Sequence, residues 1–261
     1  MTTNNSIRNI AFAGSGNVAW HLSKALKLEG FHISGIWSRD ITHASELAES
    51  SNSVAFQNIS ALKTGADLII IAVPDKAIDE VAAAIGNFNG IVVHTAGSVS
   101  VDVLKSHSAH YGSFYPLQTF SKEIPVDFSD VPFFLEASNE DDLSAIRQVA
   151  SKLSSKVYEA DSAKRLLLHV SAVFAGNYSN LMYSISNEIL KTNGLPVEVL
   201  HPLMLETTRK AVHGDPLKVQ TGPARRSDIP TIEKHIEALA SFPEYAELYR
   251  LLAQLIIKQH K

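Results

Sequence analysis

An apolar run, Asn9–Ala13, is followed at once by Gly14-Ser15-Gly16-Asn17-Val18-Ala19 and then by a stretch of helical composition. Glycines in this setting have a mechanical meaning. The first permits a tight turn, the second lets backbone approach a pyrophosphate, and a small residue in the sixth place lets the helix pack on the strand. The helix start adds free N–H groups and a partial positive charge suited to phosphate. Gly14, Ser15, Gly16, Asn17 and Val18 are therefore expected to cradle a dinucleotide. A glycine turn without a ligand would show the same pattern.

About twenty residues on, the next run ends in Trp37-Ser38-Arg39-Asp40. A carboxylate at this strand tip suits a ribose 2′-OH, whereas a hydroxyl followed by an arginine suits a 2′-phosphate. Ser38 and Arg39 are of the second kind, which favours NADP over NAD. Asp40 stands past the arginine and is equally suited to capping the following helix. Two later strand ends should open on the same crevice: Val73-Pro74, followed by Asp75, and His94 with Thr95-Ala96-Gly97-Ser98. The Thr95 and Ser98 hydroxyls suit a nicotinamide amide or a substrate oxygen, and suit capping of the next helix as well.

Toward the C-terminus, Ser162–Lys191 reads as one long helix. At 100° per residue, His169, Gly176, Asn180 and Asn187 share a stripe with Asn177 at its edge. Leu166, Leu167, Val170, Val173, Phe174 and Leu181 flank that stripe, so much of this helix is expected to be buried. Its His and Asn then need partners in a substrate or a neighbouring helix. His107 and His110 lack an acidic third ligand nearby in sequence and read as a solvated loop; no metal site is expected. Glu206 and Lys210 are an i, i+4 pair of the ordinary surface type. Arg225 and Arg226 sit in a loop that suits an anion, before Asp228 and Pro230, which suit a helix start. Neither a P-loop nor a G-x-S-x-G elbow occurs.

The elements that position these residues fall into two textures. Strand-like runs at Asn9–Ala13, His32–Trp37, Val54–Phe56, Leu68–Val73, Ile91–His94, Tyr111–Phe114, Pro132–Glu136 and Lys156–Tyr158 alternate with helical stretches over 19–28, 42–49, 78–85 and 142–153. Several of these runs are apolar throughout, as strands covered on both faces are. Beyond residue 160 only helices follow: 162–191, 198–212, 229–240 and 245–258. The expected fold is α/β, a doubly wound, mostly parallel Rossmann sheet over residues 1–160, followed by an all-α domain over 161–261. With 261 residues, two domains are ample for a core. A net charge of −4 without a basic block argues against nucleic acid as a partner. The absence of cysteine excludes disulfides, thiolate nucleophiles and Cys-based metal sites. The polar residues at the N-terminus and an apolar run no longer than Leu68–Val73 point to a cytoplasmic protein without a membrane span.

These motifs together give the chain a resemblance to a family of Rossmann-like reductases related to pyrroline-5-carboxylate reductase and to the β-hydroxyacid (6-phosphogluconate) dehydrogenases. The motifs that carry it are 14–19, 37–39, Ala72-Val73-Pro74-Asp75, 94–98, Tyr115-Pro116-Leu117-Gln118-Thr119-Phe120, His169 to Asn177, Leu205-Glu206-Thr207 and Gln220-Thr221-Gly222-Pro223-Ala224. The resemblance spans nearly the whole chain. It implies an N-terminal NAD(P) domain, a helical domain that forms a homodimer, and hydride transfer between NADP and a small carbonyl or imine in a cleft between the domains. One departure stands out. β-Hydroxyacid dehydrogenases carry a catalytic lysine one turn before an asparagine, and the residue four before Asn177 is Val173. His169, Tyr115 and Asn177 are then the candidates to orient substrate and move a proton. The alternative is a non-catalytic NADP-binding sensor or scaffold.

Overall fold

The structure, a computed structural model, describes residues 6–261. The first five residues of the polar N-terminus lie outside the described residues. Eight strands form one sheet in the order β3-β2-β1-β4-β5-β6-β7-β8. They are β1 (Asn9–Ala13), β2 (His32–Trp37), β3 (Ala55–Phe56), β4 (Leu68–Ile71), β5 (Ile91–His94), β6 (Tyr111–Pro116), β7 (Phe133–Ala137) and β8 (Val157–Glu159). All pairings are parallel except β6 with β7. The doubly wound, mostly parallel sheet expected from the sequence is present.

Residues one apart along a strand point to opposite faces, and both faces are covered. Ile10 and Phe12 of β1 with Leu68 and Ile70 of β4 pack under α1 (Asn17–Leu28), α2 (Ile41–Ser51) and α4 (Glu140–Leu153). Ala11 and Ala13 with Ile69 and Ile71 pack under α3 (Ile78–Ile85) on the other side. Two-sided burial is why β4 and β5 read as unbroken apolar runs.

The remaining helices are α5 (Ser162–Ala172), α6 (Ser179–Thr192), α7 (His201–His213), α8 (Pro216–Val219), α9 (Ile229–Ala238) and α10 (Pro243–Gln259). Strands end at Glu159, but the chain divides into compact units at another point, one through Asn177 and the other 178–261. α5 therefore packs with the sheet unit. Two expectations for the 162–191 helix are corrected. A π-helical segment, Val173–Tyr178, separates α5 from α6, so the 100° count no longer relates His169 to Asn180 and Asn187. Nor is the helix largely buried: Leu167 is 68% and Phe174 65% exposed, and Leu166, Val170 and Leu181 are exposed as well. Among the described residues no helix is long and apolar enough to cross a membrane.

His94, at the end of β5, is fully buried, and its Nδ1 accepts a bond from the Ala96 N–H at 3.2 Å. Burial, with the nearby Arg165 cation adding to it, pushes its pKa down to about 4. The unfolded chain takes up this proton near pH 6.5, so stability is full above that pH and falls toward pH 4, by about 3 kcal/mol from this group. Denaturant unfolding at pH 7 and pH 4.5 should show His94→Gln losing less stability on acidification than the wild type. Equal losses would remove His94 from the acid response.

Candidate functional site

At the carboxyl end of β1 the chain turns at Gly14, whose φ is +120°. A Cβ there would lie 2.2 Å from the Ala72 carbonyl oxygen beyond β4. Only glycine fits. A Cβ on Gly16 would meet nothing within 4 Å, so the backbone there is open to an approaching group. Gly16 also precedes α1 without a side-chain cap on its first N–H groups. β1 and β4 are neighbours from which the chain winds outward in opposite directions, the point at which such sheets bind ligands.

A cleft of about 480 Å³ occupies this point, lined among others by Gly14–Gly16, Ser38, Arg39, Val73 and Pro74. Its dimensions suit a small-molecule site. Arg39 is exposed and makes no ion pair among the described residues, which leaves its guanidinium free for an anion. Asp40 is committed elsewhere: its carboxylate accepts from the Thr42 N–H at 2.8 Å and hydroxyl at 2.6 Å, capping α2. These bonds hold its pKa below the usual carboxylate value. Two further side chains reach the cleft that sequence spacing did not single out, the imidazole of His43 on α2 and the cation of Lys122, beyond β6. Lys122 Nζ lies 3.4 Å from Glu46 and 4.7 Å over the Trp20 ring. Asn17 and Val18 face other duties. Asn17 Nδ2 donates to the Phe120 carbonyl at 2.9 Å, and Val18 packs against the core.

Beyond the cleft, polar groups from three strand ends meet. Ser98 donates a short hydrogen bond to Asp75, which follows the cleft residue Pro74. Thr95 returns to β4, its hydroxyl and N–H both directed at the Ile71 carbonyl. The capping reading is set aside for both, since Ser100 caps the turn that follows. Gly97 lies under His169 of α5, where a Cβ would be 2.7 Å from the imidazole. The His169 Nδ1 is 3.1 Å from the hydroxyl of Tyr115 on β6. Burial raises the Tyr115 pKa above its ordinary value, opposed by Arg165 and reinforced by Asp75. A neutral phenol can donate to the imidazole or accept from it, so the contact suits passage of a proton between the two groups. Ala96 spends its N–H on His94. Asn177 is exposed at the π-helical segment and is not brought to this pair.

The remaining sequence candidates resolve into structural roles. His107 contacts Asp79 at 2.8 Å and His110 contacts Asp142 at 3.0 Å, so each does have an acidic neighbour, from a distant part of the chain. No cluster among the described residues could hold a metal ion. Glu206 binds Arg209 as well as Lys210, and these contacts lower its pKa to about 2. Asp228 caps α9 through Thr231.

Residues 9–98 match the family described as NADP oxidoreductase, coenzyme F420-dependent, and residues 131–256 match a domain of unknown function (DUF2520). No curated protein matches. A Bacteroides fragilis protein labelled an NADP oxidoreductase is 40% identical, with 97% of this chain and 99% of that one aligned at a TM-score of 0.91. A reductive aminase from Aspergillus terreus, in complex with NADPH and ethyl-5-oxohexanoate, has 15% identity over 97% and 94% of the chains at 0.71. A pyrroline-5-carboxylate reductase from Coxiella burnetii has 18% identity over 98% of both chains at 0.58. The last two share the fold.

The cations of the cleft make a direct prediction. Arg39→Ala and Lys122→Ala should each weaken NADPH binding by about tenfold, the loss of one charge-assisted contact, and leave NADH binding unchanged. Fluorescence titration of both nucleotides checks this. Equal affinities of the wild type for NADPH and NADH would overturn the assignment.

Proposed function

Because this chain belongs to the NADP oxidoreductase family that includes the Bacteroides fragilis protein, we propose that it reduces a small imine or carbonyl compound. NADPH, when bound, supplies the hydride that adds to the electrophilic carbon. Gly14, Ser15 and Gly16 with the start of α1 hold the pyrophosphate, and Ser38, Arg39, His43 and Lys122 surround the 2′-phosphate. Val73 and Pro74 lead along the sheet edge toward Thr95–Ser98 and the nicotinamide end.

The observation that carries this reading is the Tyr115–His169 hydrogen bond at that edge. Once the carbon has gained its hydride, the oxygen or nitrogen takes a proton. His169 gives up its Nε2 proton as the Tyr115 phenol proton moves toward Nδ1, and water restores the pair. The position that carries a lysine in the β-hydroxyacid dehydrogenases is Val173 here, so the pair takes over proton transfer from other positions of the chain. A substrate that arrives as a protonated imine needs no such donor. The Coxiella and Aspergillus enzymes, named for imine and amine chemistry, support a C=N substrate over a ketone.

Two predictions follow from this assignment. NADPH oxidation against cyclic imines and ketones should slow by roughly 10²-fold in Tyr115→Phe and His169→Ala, whereas a permanently cationic N-alkyl iminium should keep its turnover. Equal loss on both substrate types would remove the pair from proton transfer. Silence across the panel with intact NADPH binding would indicate the sensor instead.

The second concerns assembly, proposed here as a homodimer. In the unit 178–261 the buried cluster holds only Ala224, Ile232 and Ala253, while Leu203, Leu205 and Val212 are 63%, 72% and 74% exposed. So small a core does not sustain a helical unit by itself. Sedimentation should give about 57 kDa, twice the 28.4 kDa chain, and Leu205→Glu should shift it toward monomer. A wild type that stays monomeric at micromolar concentration would contradict the dimer.

A further inference from the structure

Arg165 is the largest fully buried side chain among the described residues, and the proton-transfer reading leaves it without a task. A buried guanidinium needs its charge answered and its donors paired; the two terminal nitrogens of Arg165 are paired, whereas its Nε has no hydrogen-bond partner. Here Nη1 donates to Glu136 of β7 in a short ion pair, and Nη2 donates to the Val99 carbonyl at 2.6 Å and the Ser162 hydroxyl at 3.1 Å. Ser162 in turn donates to Glu136 at 2.8 Å and accepts from the Val101 N–H at 3.2 Å. The first turn of α5 is thereby fastened to a strand and to the segment that leaves β5.

His169 is one turn further along the same face, at i+4 from Arg165. Its ring rests on Gly97, two residues before Val99, and its Nδ1 meets Tyr115 on β6, the strand that pairs with β7. Successive turns of α5 thus touch the same segment and two adjacent strands. A shift of the first turn must carry the imidazole with it, because a helix transmits its register.

We propose that Arg165 is a positioning residue that, through Glu136, Val99 and Ser162, sets the register of α5 so that His169 Nδ1 reaches the Tyr115 hydroxyl. Its importance for turnover rests on the reading above; the positioning itself does not. Arg165→Lys keeps the charge but cannot fork to three acceptors, and Ser162→Ala removes the hydroxyl's hydrogen bonds with Arg165, Glu136 and the Val101 N–H while leaving the Arg165–Glu136 ion pair in place.

The test uses the full chain with ¹⁵N-labelled histidine. The His169 nitrogen resonances are assigned by their loss in His169→Asn, and Tyr115→Phe fixes the direction in which Nδ1 moves when its bond is lost. Arg165→Lys and Ser162→Ala should move Nδ1 the same way, with NADPH affinity within about twofold of wild type, since the sites share no partners. If Arg165→Lys does not fold, Ser162→Ala decides. A resonance that Tyr115→Phe moves but that stays at its wild-type position in the folded positioning variants overturns the proposal. A resonance that moves as expected, in a protein whose turnover is indifferent to His169→Ala, leaves the positioning in place and removes the proton-transfer reading.

Discussion

Between the first turn of the chain and the end of β4 there is no room for a side chain. The Ala72 carbonyl stands where a Cβ on residue 14 would be, and the backbone there has a φ of +120°. This close approach lets β1 hand over directly to α1 at the place where the sheet order reverses. Everything at the carboxyl edge follows from it. The uncapped start of α1, the open face of Gly16 and the tip of β2 with Arg39 converge on one cleft because the turn is that tight.

A second close approach organises the opposite end of the site. Gly97 admits the imidazole of His169, so a helix that follows the sheet in sequence delivers a titratable group to the ends of β5 and β6. The polar groups below it are arranged for low dielectric. His94 stays neutral at physiological pH, while the Arg165 charge is answered by Glu136. Neutral His94 and the raised Tyr115 phenol have one cause, the desolvation of this edge.

The sheet was readable in the sequence because parallel strands buried on both faces leave unbroken apolar runs, and because the glycine motif has one geometric use in that setting. Strands β1, β2 and β5 occupy the expected residues, and the others differ by one or two positions at their ends. The site was only partly readable. Ser38 and Arg39 lie next to their strand, so spacing found them, whereas Lys122 arrives from beyond β6 by tertiary folding alone. Gly97 lies at a strand end expected to open on the crevice, but that its partner would be His169, seventy-two residues later, has no local signal. Arg165, a charged residue on a helix, is fully buried, and no local signal in the sequence marks it for that. Leu167 and Phe174 illustrate the converse: hydrophobicity marks what avoids water, and does not say whether the cover comes from the same chain.

On the proposed function, the carboxyl edge of the sheet is a single site running from Arg39 through the glycine turn to the Tyr115–His169 pair. A crystal structure of the protein with NADP⁺ tests it most directly. The 2′-phosphate should lie against Arg39 and Lys122, and the nicotinamide C4 should face a space within roughly 3–3.5 Å of the His169–Tyr115 pair, the reach that proton transfer to a bound substrate requires. A cofactor whose nicotinamide points away from that pair, with its 2′-phosphate in solvent, would contradict the account.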